Sequence, residues 1–219
     1  MTLIGYWPLN EASGTTAYDH SGNENHGVVG NSPVLGQSGV LDGKAYDFTG
    51  NNGNVDVDPG YFDSSSDFTI SFWIYPTDTS ANDQRIFDMR GDIALIPNIN
   101  RSGNGDLEVW INGNENTVSD ISENMWQFIT VVYTASENNL EIFKDGVSAN
   151  SFNTDINTSS EDSLMWSGNA NYDGGAGDTP IEGRLCECRL YDRPLTENEI
   201  QYLYSVGKRG LQTSSIKSS

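Results

Sequence analysis

Short runs of strand-like residues, separated by turn residues, constrain the fold of this chain more than any other feature. Residues 68–75 alternate between two faces with a period of two, as a half-buried strand does. Residues 126–134 form an apolar run typical of a buried strand, and residues 140–144 end in Asp145-Gly146, a hairpin turn signal. Further runs of this kind lie at residues 3–8, 27–29, 45–48, 54–57, 85–89, 93–96, 107–112, 164–166 and 181–191. Many short strands without intervening helices predict an all-β, antiparallel sandwich.

One short helix is predicted near the C-terminus. Thr196 can cap it, and Glu199 three residues later completes a capping box. The apolar stripe that follows consists of Ile200, Leu203 and Tyr204. We expect Gly207 to end the helix. The Ser-rich residues 210–219 then form a tail or the stump of a linker, which leaves residues 1–209 as one domain.

The charge balance excludes several classes of partner. The chain has 31 Asp and Glu against 11 Lys and Arg, a formal net charge of −20. A field of that sign repels phosphates, so neither nucleic acid nor an anionic membrane surface is an expected partner. No run of about 18 apolar residues is present, so no membrane insertion is expected either.

The same charge favours adaptation to high salt. Self-repulsion destabilises a compact chain in dilute buffer, whereas at molar salt the Debye length falls to about 3 Å and the repulsion largely vanishes. An acidic chain with only four lysines therefore predicts a halophilic protein. The alternative is an ordinary acidic secreted protein.

The two cysteines, Cys186 and Cys188, lie two residues apart. On a regular strand they project to the same face, where parallel Cβ vectors suit a disulfide poorly. They are predicted to be two small, partly buried hydrophobic residues. Cysteine usage thus leaves the redox compartment open.

An ordered set of motifs resembles one known family. The motifs are Tyr-Trp-Pro-Leu at residues 6–9, Asp-His-Ser-Gly-Asn-Glu-Asn-His-Gly at 19–27, Ala-Tyr-Asp-Phe-Thr-Gly at 45–50, Phe-Thr-Ile-Ser-Phe-Trp-Ile at 68–74, the strand that opens at Trp126, and the closing segment 185–196. In this order, over about residues 3–206, they resemble the laminin-G-like branch of the concanavalin A-like lectin/glucanase jelly rolls. Cys186 departs from the family pattern, which usually has Asp at this place. The resemblance implies two curved antiparallel sheets packed face to face, glycan binding or adhesion, and often a structural calcium ion.

A calcium site is expected at the Asp19 loop. Calcium takes six to eight oxygen ligands from carboxylates, amides and backbone carbonyls. By the resemblance, the strand that carries Glu187 passes beside this loop, so Asp19 and Glu187 are the expected side-chain ligands. Asn23, Asn25 and His26 are expected to add carbonyl or amide oxygens. The alternative is an Asx-rich turn stabilised by its own side chains.

The tryptophans beside Gly- and Asn-rich loops are candidate ligand-binding residues. Sugars stack on aromatic rings while Asn and Asp bond their hydroxyls. The predicted ligand-binding set is Trp110, Asn112, Trp166, Asn171, Tyr172 and Asp173. For Trp110 and Trp166 a position in the core is the alternative. Trp73 and Trp126, inside apolar strands, are predicted to be core residues.

Catalysis is not expected. Glycosidases need two carboxyl groups at a fixed separation across the scissile bond. Glu182 and Glu187 share one predicted strand, but their odd spacing puts them on opposite faces. We expect a non-enzymatic module for surface recognition or adhesion, with cell-surface glycan or glycoprotein as its partner.

The cellular context is a separate expectation. No secretory signal is visible after Met1. A glycan-binding domain without a signal suits a virion protein released by lysis, so we expect the virion surface of a virus of halophilic archaea, as a capsid turret, decoration or tail-tip protein. Such proteins are usually homo-oligomers or contact other virion proteins. The alternatives are a fragment of a secreted haloarchaeal adhesin at the cell surface and a glycan-processing enzyme.

Overall fold

The computed structural model describes residues 2–41, 43–50, 53–58, 65–81, 83–90, 96–99, 105–111, 114–156, 163–167 and 179–217. These residues form eighteen strands, one 3₁₀ turn and one α-helix. The strands are β1 (Leu3–Trp7), β2 (Thr16–Ala17), β3 (Gly27–Gly30), β4 (Val34–Gln37), β5 (Ala45–Asp47), β6 (Asn54–Val57), β7 (Phe68–Pro76), β8 (Gln84–Arg85), β9 (Phe87–Arg90), β10 (Ile96–Ile99), β11 (Asp106–Ile111), β12 (Asn114–Asp120), β13 (Gln127–Thr134), β14 (Asn139–Lys144), β15 (Val147–Asn153), β16 (Ser163–Trp166), β17 (Thr179–Pro180) and β18 (Gly183–Tyr191). The 3₁₀ turn is Ala135–Glu137, and the helix α1 is Glu197–Lys217.

The strands build a two-layer sandwich, which confirms the predicted fold class. One layer is an eight-stranded sheet of order β15-β14-β13-β7-β18-β5-β4, with β1 paired to β18. We call it the helix-side sheet. The other layer consists of two five-stranded sheets, β2-β3-β6-β16-β9 and β12-β11-β10-β8-β17, which the chain joins at Ile86 between β8 and β9. Among the described strands, only β17 and β8 pair in parallel.

The core lies between the two layers. The predicted alternation in β7 puts Phe68, Ile70, Phe72 and Ile74 into this core. Phe72 contacts Phe87 and Trp166 from the opposite layer, with ring centroids 5.8 Å apart in each pair. Trp73 points the other way, into a second apolar cluster beneath α1. The helix-side sheet is therefore covered on both faces along the strip that α1 crosses.

The capping box of α1 is confirmed. The Glu199 carboxylate accepts the backbone N–H of Thr196 at 2.9 Å, and the Thr196 hydroxyl accepts the backbone N–H of Glu199 at 3.4 Å. Arg193 donates two hydrogen bonds to the same carboxylate, at 2.9 and 2.6 Å. No helix in the described part of the chain is long and apolar enough to cross a membrane.

The predicted end of this helix at Gly207 is wrong. The helix has 21 residues and continues to Lys217, so it is not short and the expected tail at 210–219 begins inside it. Gly207 is a contact residue instead: a Cβ there would lie 2.5 Å from three atoms of the Trp73 indole. Gly210 similarly packs against the backbone of Leu41. Gly207 lets α1 approach the sheet closely, and Gly210 lets it approach the segment between β4 and β5.

The prediction that the cysteines share one face is also wrong. The register between β18 and β7 shifts between Cys186 and Arg189, and Glu187 adopts a positive φ of 56°. This bulge adds one residue to the strand and reverses the alternation. Cys186 therefore belongs to the cluster beneath α1, whereas Cys188 belongs to the main core. Both are free, fully buried thiols, and burial raises the pKa of Cys188 well above its ordinary value.

Candidate functional site

The Asp19 carboxylate organises the loop between β2 and β3. It accepts the backbone N–H groups of Tyr6, Ser21 and Asn25 at 2.8, 2.8 and 3.0 Å. It also accepts the Ser21 hydroxyl at 2.7 Å. Burial by itself would raise the pKa of Asp19, but these hydrogen bonds lower it below its ordinary value. Four donors thus surround the two carboxylate oxygens.

Asn23, Asn25 and His26, the other predicted calcium ligands, form hydrogen bonds that hold the loop in place. The Asn23 amide donates to the carbonyls of Leu3 and Ile4, and the Asn25 amide donates to Ile4. The Asn25 carbonyl accepts the indole N–H of Trp7 at 2.7 Å. His26 uses its Nδ1 to accept the backbone N–H of Asp19 at 3.1 Å. These contacts fasten the loop to β1.

Glu187 lies in the bulge of β18, 2% exposed. Its Oε2 accepts the Tyr6 hydroxyl at 2.7 Å and a hydrogen bond from Arg189. The Arg189 guanidinium lies over the Tyr6 ring, 4.2 Å from its centroid. Burial alone would lower the pKa of Arg189, but the Glu187 carboxylate raises it. Glu187 is thus half of a buried, compensated ion pair.

This donor set does not fit a calcium ion. Calcium needs six to eight oxygens whose lone pairs point at the ion. The Asp19 oxygens point at N–H and O–H donors, and Glu187 is neutralised by Arg189. Within the described ranges, no cluster of three or more His, Cys, Asp or Glu side chains could hold a metal. The geometry favours the Asx-rich turn, and the calcium ion stays a prediction.

Trp166 is not at a ligand-binding surface. It is fully buried, and its ring contacts those of Trp7, Phe72 and Phe87 at centroid distances of 5.7 to 6.2 Å. The reason is its place at the end of β16, a strand between β6 and β9, with Trp166 on the core face. The prediction for Trp166 is therefore wrong, and the core alternative is correct.

The rest of the predicted ligand set is not tested. Trp110 lies in β11, with its backbone paired to Ile96 and Glu115, and its side chain is not among those described. Asn112, Asn171, Tyr172 and Asp173 lie outside the described residues. Their role in ligand binding stays a prediction.

The two five-stranded sheets carry a buried polar cluster that the sequence patterns did not predict. Arg85 and Asp88 form an ion pair at 2.7 Å, with less than a tenth of either side chain exposed. Glu108, between the core residues Leu107 and Val109 of β11, is fully buried. Arg85 and Glu108 both pair in register with Asn98. The signal in the sequence was a charged residue inside each apolar run. Glu108 lies in β11, the strand that also carries Trp110.

The laminin G family model described as "Concanavalin A-like lectin/glucanases superfamily" matches residues 49–201, more than half of the chain. The chain belongs to this superfamily. Among curated proteins, no sequence is significantly similar to this concanavalin A-like domain.

Solved structures share the fold at low sequence identity. Domain 4 of AbnA, a GH43 extracellular arabinanase from Geobacillus stearothermophilus, in complex with arabinotriose, has a TM-score of 0.73 at 16% identity. The match covers 93% of this chain and 98% of that domain. The binding domain of Paraclostridial Mosquitocidal Protein 1 has a TM-score of 0.66 at 18% identity, over 92% of this chain and 51% of that one. A Trypanosoma rangeli sialidase in complex with 2,3-difluorosialic acid has a TM-score of 0.67 at 13% identity, over 92% and 32%.

Three acidic side chains of this concanavalin A-like domain have defined partners. Glu182 accepts the backbone N–H of Gly50 at 2.9 Å, and Glu187 and Asp88 are each paired with an arginine. A glycosidase acid must exchange its proton with the substrate, which an arginine-bound carboxylate opposes. This argument applies to Glu187, whereas the partner of Glu182 is a backbone N–H group.

Proposed function

We propose that this protein is a non-enzymatic carbohydrate-binding module. One observation carries the proposal: the fold matches nearly the whole of domain 4 of the arabinanase, a domain solved in complex with arabinotriose. The toxin binding domain supports a recognition role in the same way, although this chain spans only about half of it. The expected ligand is a glycan or glycoprotein at a cell surface.

The proposed ligand-binding residues are the predicted set Trp110, Asn112, Asn171, Tyr172 and Asp173. Of these, Trp110 lies in β11 of the two five-stranded sheets. The Arg85–Asp88 ion pair joins β8 and β9 of these sheets, and Glu108 on β11 is fully buried. These side chains therefore support the strands beneath the proposed surface rather than contact the sugar.

A glycan-processing enzyme is the second candidate function. The observation in its favour is the likeness to one third of the sialidase chain. The pairing of Glu187 with Arg189 argues against catalysis by Glu187. Hydrolysis of a polysaccharide that is lost in Glu187→Gln, with the fold retained, would establish the enzyme and reject the non-enzymatic proposal.

The proposal for the cellular context is drawn from the sequence alone. We propose the virion surface of a virus of halophilic archaea, with the secreted adhesin as the alternative. Second copies of the chain or other virion proteins are the proposed assembly partners. Mass spectrometry of purified virions tests this context, because many copies per particle support a virion protein and its absence rejects one.

The test of the main proposal is direct binding of free oligosaccharides. Arabinotriose and a panel of other oligosaccharides would be titrated into the folded protein in molar salt, with binding followed by calorimetry. We expect saturable binding to at least one member of the panel. Tyr172→Ala should weaken it by about tenfold, the loss of one stacking ring. Tyr202→Ala is the matched control, since Tyr202 is 64% exposed on α1 and lies outside the proposed surface. No binding by the folded wild type would reject the proposal.

A further inference from the structure

Four side chains form a row across the open part of the helix-side sheet. Tyr75 in β7 is paired in register with Arg184 in β18, and Arg184 is paired with Asp47 in β5. Trp126 comes directly before β13, where Gln127 pairs with Ile74, so Trp126 lies opposite Tyr75. We call Trp126, Tyr75, Arg184 and Asp47 the aromatic–arginine row.

The row faces the same side of the sheet as α1 but lies beside the strip that α1 covers. Its neighbours on the same face, two residues along each strand, are Phe128, Trp73, Cys186 and Ala45, which belong to the buried cluster beneath the helix. The four members of the row are half-buried. Trp126 is therefore not the core residue that the sequence predicts, because the helix that buries Trp73 does not extend over it.

The members of the row contact one another in order. The rings of Trp126 and Tyr75 lie 5.4 Å apart at an angle of 55°. The Arg184 guanidinium lies 5.3 Å from the centroid of the Tyr75 ring. The Arg184 Nε donates to the Asp47 carboxylate at 3.0 Å. Each side chain is thus held in place by the next. This reduces the conformational entropy that the side chains lose when a ligand binds.

Several polar atoms of the row remain available. Among the described residues, the two Nη groups of Arg184, the Tyr75 hydroxyl and the Trp126 indole N–H have no hydrogen-bond partner. Tyr hydroxyls and Trp N–H groups usually find a partner when they are buried, and both residue types are enriched at binding surfaces. The row therefore offers two ring faces and a series of unused donors on one side.

The charge of the row is balanced. Burial by itself would raise the pKa of Asp47, but hydrogen bonds from Thr49 and Arg184 lower it, so the carboxylate stays ionised beside the guanidinium. The row is thus neutral in a chain whose formal net charge is −20. A neutral ligand is favoured over an anion, because the surrounding charge repels anions and Asp47 already compensates Arg184.

We propose that the aromatic–arginine row is a second carbohydrate-binding surface, for a neutral oligosaccharide. Sugar rings stack on Trp126 and Tyr75, and sugar hydroxyls accept hydrogen bonds from Arg184. Neighbouring strands lie about 4.8 Å apart, so the row spans about 14 Å, a length suited to about three sugar rings. This inference rests on the proposed function for its ligand class. It concerns the opposite layer of the sandwich from the surface that carries Trp110.

Fluorine NMR with 5-fluorotryptophan separates this surface from the first. The chain has five tryptophans, from which we expect five separate signals, and the signal lost in Trp126→Phe is that of Trp126. The probes are arabinotriose and the oligosaccharide that binds best in the calorimetric panel, added to the Tyr172→Ala protein in molar salt. We expect the Trp126 signal to shift in a saturable manner. The signals of the buried Trp7, Trp73 and Trp166 report that the fold is intact.

Substitutions in the row complete the test. Arg184→Gln and Trp126→Ala should each weaken this binding by about tenfold, through lost hydrogen bonds or lost stacking. Met125→Ala is the matched control, since Met125 is 58% exposed beside Trp126 but is not in the row. If Trp126→Ala does not fold, Trp126→Phe, which keeps a ring but loses the indole N–H, takes its place and should weaken binding less.

The outcomes separate the two proposals. Oligosaccharide binding that leaves the Trp126 signal unmoved overturns the second surface and leaves the proposed function intact. Equal weakening in Met125→Ala and Arg184→Gln also overturns it, since the effect is then not specific to the row. No binding of any oligosaccharide by the folded wild type overturns both proposals.

Discussion

Gly207 offers a direct test of how α1 is held on the sheet. An alanine Cβ at this position would lie 2.5 Å from the Cε2, Cζ2 and Nε1 atoms of Trp73, closer than real Cβ contacts. Trp73 is 2% exposed, and its ring is packed by Tyr204 at 5.7 Å and by Phe128 at 5.3 Å. The indole therefore has no free space to move into, and Gly207→Ala must displace the helix.

Two opposing effects determine how much Gly207→Ala changes the free energy of unfolding. Alanine is favoured over glycine inside a helix by about 1 kcal/mol. An extra methyl group in a packed contact costs about 1–3 kcal/mol, and the rigid ring places this site toward the upper end. We expect Gly207→Ala to lower the free energy of unfolding by about 1–2 kcal/mol, which lowers the melting temperature by about 2–8 °C in a protein of this size.

Thermal unfolding of the two variants Gly207→Ala and Ser205→Ala is the assay. Ser205 is exposed on the same helix and donates a local hydrogen bond to the carbonyl of Tyr202. Ser205→Ala should stabilise the protein slightly, by about 0.5 kcal/mol, because the higher helix propensity of alanine outweighs the loss of this exposed, local hydrogen bond. If Gly207→Ala stabilises the protein as Ser205→Ala does, α1 is not packed on Trp73 and the reasoning fails.

Three further predictions concern the Asp19 loop, the start of α1 and salt. Asp19→Ala should lower the free energy of unfolding by about 2–4 kcal/mol, because three backbone N–H groups lose a charged acceptor. A chelator should leave the melting temperature of the wild type unchanged. A fall in the melting temperature on chelation would show a bound calcium ion. Hydrogen bonds from Arg193 lower the pKa of Glu199 to about 2, so the helix start should weaken as the pH falls from about 4.5 toward 2. Circular dichroism of Glu199→Gln should lack this acid transition, and an equal transition in both proteins would reject the assignment. Raising salt from low to molar concentration should raise the melting temperature, because screening removes the repulsion of a chain of charge −20; a salt-independent melting temperature would reject halophily.

Much of the fold follows from local patterns. The alternation over residues 68–75, the turn at Asp145-Gly146 and the capping box of Thr196 and Glu199 all appear in the structure as predicted. Each depends on residues a few positions apart, whose geometry is set by the period of a strand or the first turn of a helix. The family motifs put the closing strand in the correct place for the same reason.

The site was less accessible from the sequence. The role of the Asp19 loop as a metal site stays a prediction, and most partners of its carboxylate are backbone N–H groups, which carry no signature in the sequence. The Arg85–Asp88 pair joins two strands of different five-stranded sheets, so its burial depends on the crossing at Ile86. No periodicity in the sequence predicts where the chain passes from one sheet to the other.

By itself the sequence determined the central strands, the Asp145-Gly146 turn, the start of the helix and the family, but it did not predict β2, β4, β12, β15 or β17. Only the tertiary structure decided which aromatic rings are buried: Trp166 lies in the core, whereas Trp126 lies half-exposed beside Tyr75. It also decided that Cys186 and Cys188 occupy opposite faces, through the bulge at Glu187. The physical reason is the same in each case. A strand has two faces whose alternation the sequence fixes, but burial depends on what packs against each face, and one extra residue in a bulge exchanges the two.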